Sequence, residues 1–145
     1  MRLTTLKLLI FPLGNLWLSL NLERVKKIIP RPEITKGRQK YLGVCYFENQ
    51  EVTVIDLYQK VLGGELPSGK SYLIVVQSSK GLYGLSVGNL PIMRDVPSDQ
   101  LHPVPAEYRE RDTLQIASHM MQLQLQANQT ATVFLLDENR LIEMI

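Results

Sequence analysis

The stretch 43–57, G-V-C-Y-F-E-N-Q-E-V-T-V-I-D-L, constrains the fold more than any other part of the chain. Two β-prone runs flank a polar break at Glu48-Asn49-Gln50, which is the pattern of a hairpin. The arrangement recurs along the chain. Runs 6–11 and 16–20 flank Pro12-Leu13-Gly14-Asn15, and runs 72–77 and 82–87 flank Ser78-Ser79-Lys80-Gly81. Residues 26–29 form a further run, stopped at Pro30-Arg31-Pro32, where two prolines force an irregular connection. Residues 91–96 read as another short strand. The glutamine-rich run 113–126 alternates with one slip at Met120-Met121 and pairs through 127–130 with 131–136. One helical turn is expected at 22–25, and short helices at 57–62 between a capping Asp56 and Gly63-Gly64 and after Asp137. About eight to ten strands at intervals of roughly 8–12 residues indicate an all-β barrel or sandwich with short helices.

A chain of 145 residues can bury a core without staples, since roughly 68–70% of the unfolded surface is removed at this size. The 45% hydrophobic and 21% charged content is that of an ordinary globular domain. One cysteine, Cys45, excludes an internal disulfide, and its place in a strand marks it as a small core residue. The apolar run 8–20 is broken by Pro12, Gly14 and Asn15 and has no small-residue cleavage site after it. It is also shorter than the roughly 20 residues of a spanning helix, so a cytoplasmic protein without membrane insertion is expected.

Net charge is +2 but unevenly placed. Arg24, Lys26, Lys27, Arg31, Lys36, Arg38 and Lys40 face only Glu23 and Glu33 within 23–40, which is +5 and leaves the rest of the chain at −3. Such a segment is a solvated strand edge and loop, a surface for an acidic protein, or a nucleic-acid contact. It holds no aromatic residue for base stacking, so nucleic acid is not the expected partner.

Residues able to do chemistry are scarce. Gly64-Glu65-Leu66-Pro67-Ser68-Gly69-Lys70-Ser71 fits the phosphate-loop pattern G-x-x-x-x-G-K-S letter for letter. A phosphate loop follows a buried strand and opens a helix, however, and here a helical pattern precedes the motif and a strand follows it. Val133 to Glu138 resembles the acid-ended strand that holds magnesium in such enzymes, without repairing that order. His102 and His119 with one cysteine make no recognised zinc set. A Cys45–His119–Asp56 nucleophilic arrangement has no support in the spacing. No catalytic residue, metal or cofactor is therefore expected.

The order of elements resembles the CheW-like family, the coupling proteins of bacterial chemosensory systems, from about Lys7 to Ile142. Residues 9–14, I-F-P-L-G within them, resemble the family's opening strand and turn. Residues 18–29 resemble its strand leading to V-x-E-I, and Pro32-Glu33-Ile34-Thr35 its proline-containing loop. Residues 42–44 and 52–57 are similar to G-V-x-x-x-R-G-x-x-x-P-V-I-D-L, residues 83–87 stand where it has G-x-x-V-D, and 133–141 resemble L-L-D-x-x-x-L-L. The resemblance implies two small five-stranded barrels packed around a shared hydrophobic core in one domain, 1–145. Approximate halves of 12–65 and 66–136 with a terminal helix at 137–145 are expected. It implies a non-catalytic adaptor between a receptor tip and a CheA-type histidine kinase, or one that binds another CheW-like domain.

The resemblance places partner contacts at Val25, Lys26 and Lys27 and at the hairpin turn, Glu48 and Asn49, and either Val25 or Tyr46 is expected as an apolar anchor ringed by charges. The family's hairpin arginine is Glu48 here, its following glycine is Asn49, its V-x-E-I glutamate is Lys27, and the proline before V-I-D-L is Thr53. Two charges that face partners in the family are reversed, which points to a divergent pathway such as control of pili or phototaxis, to a partner carrying matching reversals, or to two simply solvated residues. The competing readings are a small-barrel RNA- or ribosome-binding module using 23–40 and, more remotely, a phosphate-loop enzyme.

Overall fold

The first hairpin joins β1 (Thr5–Leu13) to β2 (Leu16–Asn21), with Leu13 paired to Leu16 across a two-residue turn. The computed structural model describes residues 4–64, 71–109, 115–126 and 129–143. Pro12, expected in the turn, lies inside β1 opposite Trp17. In a two-residue hairpin the pair beside the turn exchanges hydrogen bonds, so the next pair directs its backbone groups outward. The neighbour on that side, β9 (Ile92–Pro97), pairs with β1 only from Thr5 to Ile10, so nothing requires the N–H that Pro12 lacks.

A 3-10 turn, Leu22–Arg24, leads to β3 (Val25–Pro30), β4 (Thr35–Lys36), β5 (Leu42–Phe47) and β6 (Gln50–Asp56). Residues Tyr58–Leu62 form one π-helical turn where a regular short helix was expected. Asp56 Oδ1 accepts the Gln59 N–H at 3.1 Å, and Gly63 at φ 73° ends the turn. The chain continues through β7 (Tyr72–Ser78), β8 (Gly81–Val87) and β9, then β10 (His102–Pro103), the single-turn α1 (Ala106–Arg109), β11 (Ala117–Gln126), β12 (Gln129–Leu136) and α2 (Glu138–Glu143). Asp137 caps α2 as anticipated, its Oδ1 accepting from Asn139 N–H at 3.0 Å and Arg140 N–H at 3.3 Å.

Strands and tight turns dominate as expected, but their grouping differs from the expected halves. Unit 1 is Met1–Leu22 with Pro91–Ile145, and unit 2 is Glu23–Leu90. The boundary near 65 therefore falls inside unit 2. The pairing that decides this is long-range: β12 lies parallel to β2, with Val133 opposite Trp17, and β9 pairs with β1. Each sheet has six strands, ordered β10-β11-β12-β2-β1-β9 and β3-β7-β8-β6-β5-β4. The expected five per barrel are joined by a two-residue strand in each, β10 and β4.

Both sheets curl on themselves. In unit 1 the Arg94 guanidinium, on β9 at one edge, donates to the carbonyls of Gln124 and Leu125 on β11, both at 3.1 Å. Leu8, Ile10, Val96, Met121 and Val133 fill the interior. In unit 2 the interior holds Cys45, Phe47, Val52, Val54, Leu73 and Val75, with Ile29 of β3 packed against them. β3 meets β5 where the Lys27 ammonium lies over the Phe47 ring, although three strands separate them in the sheet order. Gly84 lets Leu73 approach, because a Cβ there would lie 2.8 Å from its side chain.

Two buried serines behave oppositely. Ser19 Oγ donates to Phe134 O at 3.1 Å, tying β2 to β12, whereas Ser86 Oγ has no partner among the described residues. Ser19→Ala should therefore cost about 1 kcal/mol, and Ser86→Ala should raise stability by about 1 kcal/mol, both read from denaturant midpoints. Equal effects would show the two hydroxyls to be equivalent.

Burial pushes the Cys45 thiol pKa up. The native state then keeps the neutral thiol while the unfolded chain ionises above about pH 8.5, so this contribution is full below that pH. It is lost as pH rises through the native value. Cys45→Ala should flatten the alkaline fall in stability, compared with the parent protein over the same pH series.

Candidate functional site

The residues expected to meet a partner all lie in unit 2, on β3 and the β5–β6 hairpin. β3 carries a bulge: Val25 pairs with Val76 and Lys27 with Val75, leaving Lys26 as the extra residue. A bulge disturbs strict alternation, and here both lysines are exposed while Val25 is half-buried.

The hairpin turn is Glu48-Asn49, two residues and not three, with Gln50 already paired to Phe47. Both turn residues have positive φ, 51° and 65°, as a primed two-residue turn requires. Cys45 and Phe47 point into the interior, so alternation turns Tyr46 outward, where it is 71% exposed opposite Glu51. A tyrosine this exposed presents apolar area with a polar tip.

The fold brings these two segments together at one point. The Lys27 ammonium lies over the Phe47 ring, 6.0 Å from its centroid, at the residue between Tyr46 and Glu48. Lys27 and Glu48, the two sign-reversed positions, thus both adjoin Phe47, Lys27 through its ring and Glu48 as the next residue of the chain. Val25 and Lys26 are placed by β3, Val25 opposite Val76 of β7 and Lys26 at the bulge.

The residues weighed for catalysis are not assembled. Cys45 is buried in the unit 2 interior with its thiol held neutral. His102 and His119 lie on β10 and β11 of unit 1, and the His119 ring contacts Ser118 Oγ at 2.8 Å. Among the described residues no three His, Cys, Asp or Glu side chains are placed to hold a metal ion. Residues 65–70 of the phosphate-loop pattern lie outside the described residues. What flanks them is the π-helical turn before Gly64 and β7 after Ser71, so the strand-before-helix order such a loop needs is reversed. Among the described residues no helix is long and apolar enough to cross a membrane.

Two features escaped sequence reading. Ile92 and Met93 are exposed, Met93 at 65%, on the edge strand β9. Their strand was legible, but its single neighbour was not. A cavity of about 560 Å³ in unit 2 is bordered by Arg31, Lys36, Arg38 and Lys40, which the sequence showed only as a charge run.

Because a glutamate at positive φ is strained by roughly 1 kcal/mol or more, Glu48→Asn should raise the denaturation midpoint by about 0.5–1 kcal/mol equivalent. No gain would mean that the turn relaxes without cost.

The sequence matches the family model described as CheW-like domain over residues 7–145. Among solved structures it is similar to the scaffolding protein TtCheW from Thermoanaerobacter tengcongensis, with a TM-score of 0.78 at 18% identity, covering 92% of this chain and 85% of that one. No curated protein matches. The strand order, the two six-stranded sheets and the match along nearly the whole length agree, and the chain belongs to the CheW-like family.

Proposed function

We propose that this protein is a non-catalytic adaptor of a chemosensory-type signalling pathway, coupling a receptor to a CheA-type histidine kinase. The observation that supports the reading beyond family membership is Tyr46, 71% exposed beside the positive-φ turn Glu48-Asn49, on a hairpin whose Phe47 ring is reached by Lys27 of β3. An apolar anchor within a charged rim is the usual anatomy of a small interface. Contacts of this kind are transient, with affinity near micromolar, about −8 kcal/mol. Val25 serves as a second, half-buried apolar contact. The absence of assembled catalytic groups among the described residues fits a scaffold but does not carry the reading.

The charges are inverted at Lys27 and Glu48 relative to the family pattern, one in each direction. The pair keeps its net charge while the pattern of signs is changed. A partner built for the usual pattern would meet like charges, which cost several kcal/mol. The adaptor accordingly serves a divergent pathway, such as control of pili or phototaxis, whose partner carries matching reversals.

Affinity capture of the tagged chain from its own cells, read by mass spectrometry, should recover a histidine kinase or a coiled-coil receptor. Recovery of ribosomal proteins, or of nothing above background, would retire the reading. With the partner in hand, Tyr46→Ala should weaken binding about tenfold or more without lowering the thermal midpoint, since the ring is exposed. The double variant Lys27→Glu/Glu48→Arg should also bind the native partner less tightly, and unchanged affinity in titration would remove the charge-reversal argument.

A further inference from the structure

The cavity in unit 2 gathers four cations against one carboxylate. Arg31, Lys36, Arg38 and Lys40 border it, as does Asp56. The backbone that carries the cations is held locally: Arg31 N–H donates to Ser71 O at 3.0 Å, Lys36 pairs with Gly43, and Gly37 N–H donates to Leu42 O at 2.9 Å. Among the described residues none of the four cations forms an ion pair. The Asp56 carboxylate accepts the Gln59 N–H and lies beyond ion-pair distance of them. Lys60, close by in sequence, is engaged over the Tyr41 ring at 4.2 Å from its centroid. Like charges converging without ion-paired partners among the described residues repel, and an anion that entered would relieve that repulsion.

The lining limits what the anion is. Its volume of about 560 Å³ is that of a ligand site, but among the described residues no aromatic or large apolar side chain borders it. A nucleobase would find nothing to stack on. Two arginines offer planar forks that match carboxylates in bidentate fashion. Asp56 in the wall opposes a densely charged phosphate chain more than it opposes carboxylates spaced along a peptide. We propose that this cavity docks a short carboxylate-rich segment of a partner protein. The site uses none of the residues around Tyr46, so it adds a second contact and does not depend on the kinase or receptor assignment.

A fluorescein-labelled hexaglutamate peptide titrated with the full chain, followed by anisotropy at low salt, tests this. Hexaglutamate should bind while hexaglutamine does not, and Arg31→Gln/Arg38→Gln should weaken binding by about tenfold or more. Lys36→Gln/Lys40→Gln provides a second variant of the same cavity with the same expected direction. Lys7→Gln/Lys80→Gln removes equal charge from exposed positions elsewhere and should change affinity by less than about twofold. Equal loss in all three double variants would reduce the effect to diffuse charge and overturn the site. Absence of hexaglutamate binding would overturn it as well. Tripolyphosphate that displaces the peptide and binds the same residues more tightly would make it a small-anion site and overturn the peptide assignment.

Discussion

The parallel pairing of β12 with β2 is the contact on which unit 1 depends. It sets Val133 beside Trp17 and is reinforced from the side chain by Ser19 bonding to the Phe134 carbonyl. Without it the sheet would divide into β9-β1-β2 and β10-β11-β12, neither of which could curl into a closed sheet. With it, the beginning and end of the chain become one sheet that curls until Arg94 reaches the far strand. Unit 2 uses the same device, β6 parallel to β8, to join the β5–β6 and β7–β8 hairpins.

Closure has a functional consequence. When a small sheet curls, its apolar side chains go inward and the outward set is left for contacts. In unit 2 alternation sends Cys45 and Phe47 inward and Tyr46 outward, and curling brings Lys27 of β3 to Phe47. A chemically plain hairpin thereby gains a charged neighbour from a strand distant in the sheet. The β3 bulge contributes by exposing two successive lysines where strict alternation would expose one.

The basic segment shows how one composition takes different roles by position. Lys27 is drawn over an aromatic ring, whereas Arg31, Lys36, Arg38 and Lys40 border a cavity and none of them is ion-paired among the described residues. Reading the run as a solvated edge describes the exposure of these side chains correctly. It misses that four of them share one concavity, because that requires the loop before β5 to lie near the turn after β6.

Local features were legible in the sequence because their causes are local. Alternating apolar runs, Asp56 and Asp137 as caps, Gly63 as a stop and Cys45 as a core residue each depend on neighbours a few positions away, and the structure places them so. The expected contact residues Tyr46, Glu48 and Asn49 stood at a turn that any hairpin would expose. The turn's length was misjudged by one residue because Gln50 is polar yet already paired to Phe47. The grouping of strands was not legible, since hairpins suggest sequential halves and nothing local in residues 17 or 133 announces their pairing. Likewise, the meeting of Lys27 with Phe47 and the shared cavity of the cations arise only when the sheet closes. Backbone hydrogen bonding requires some partner for every strand, but only the tertiary structure decides which one.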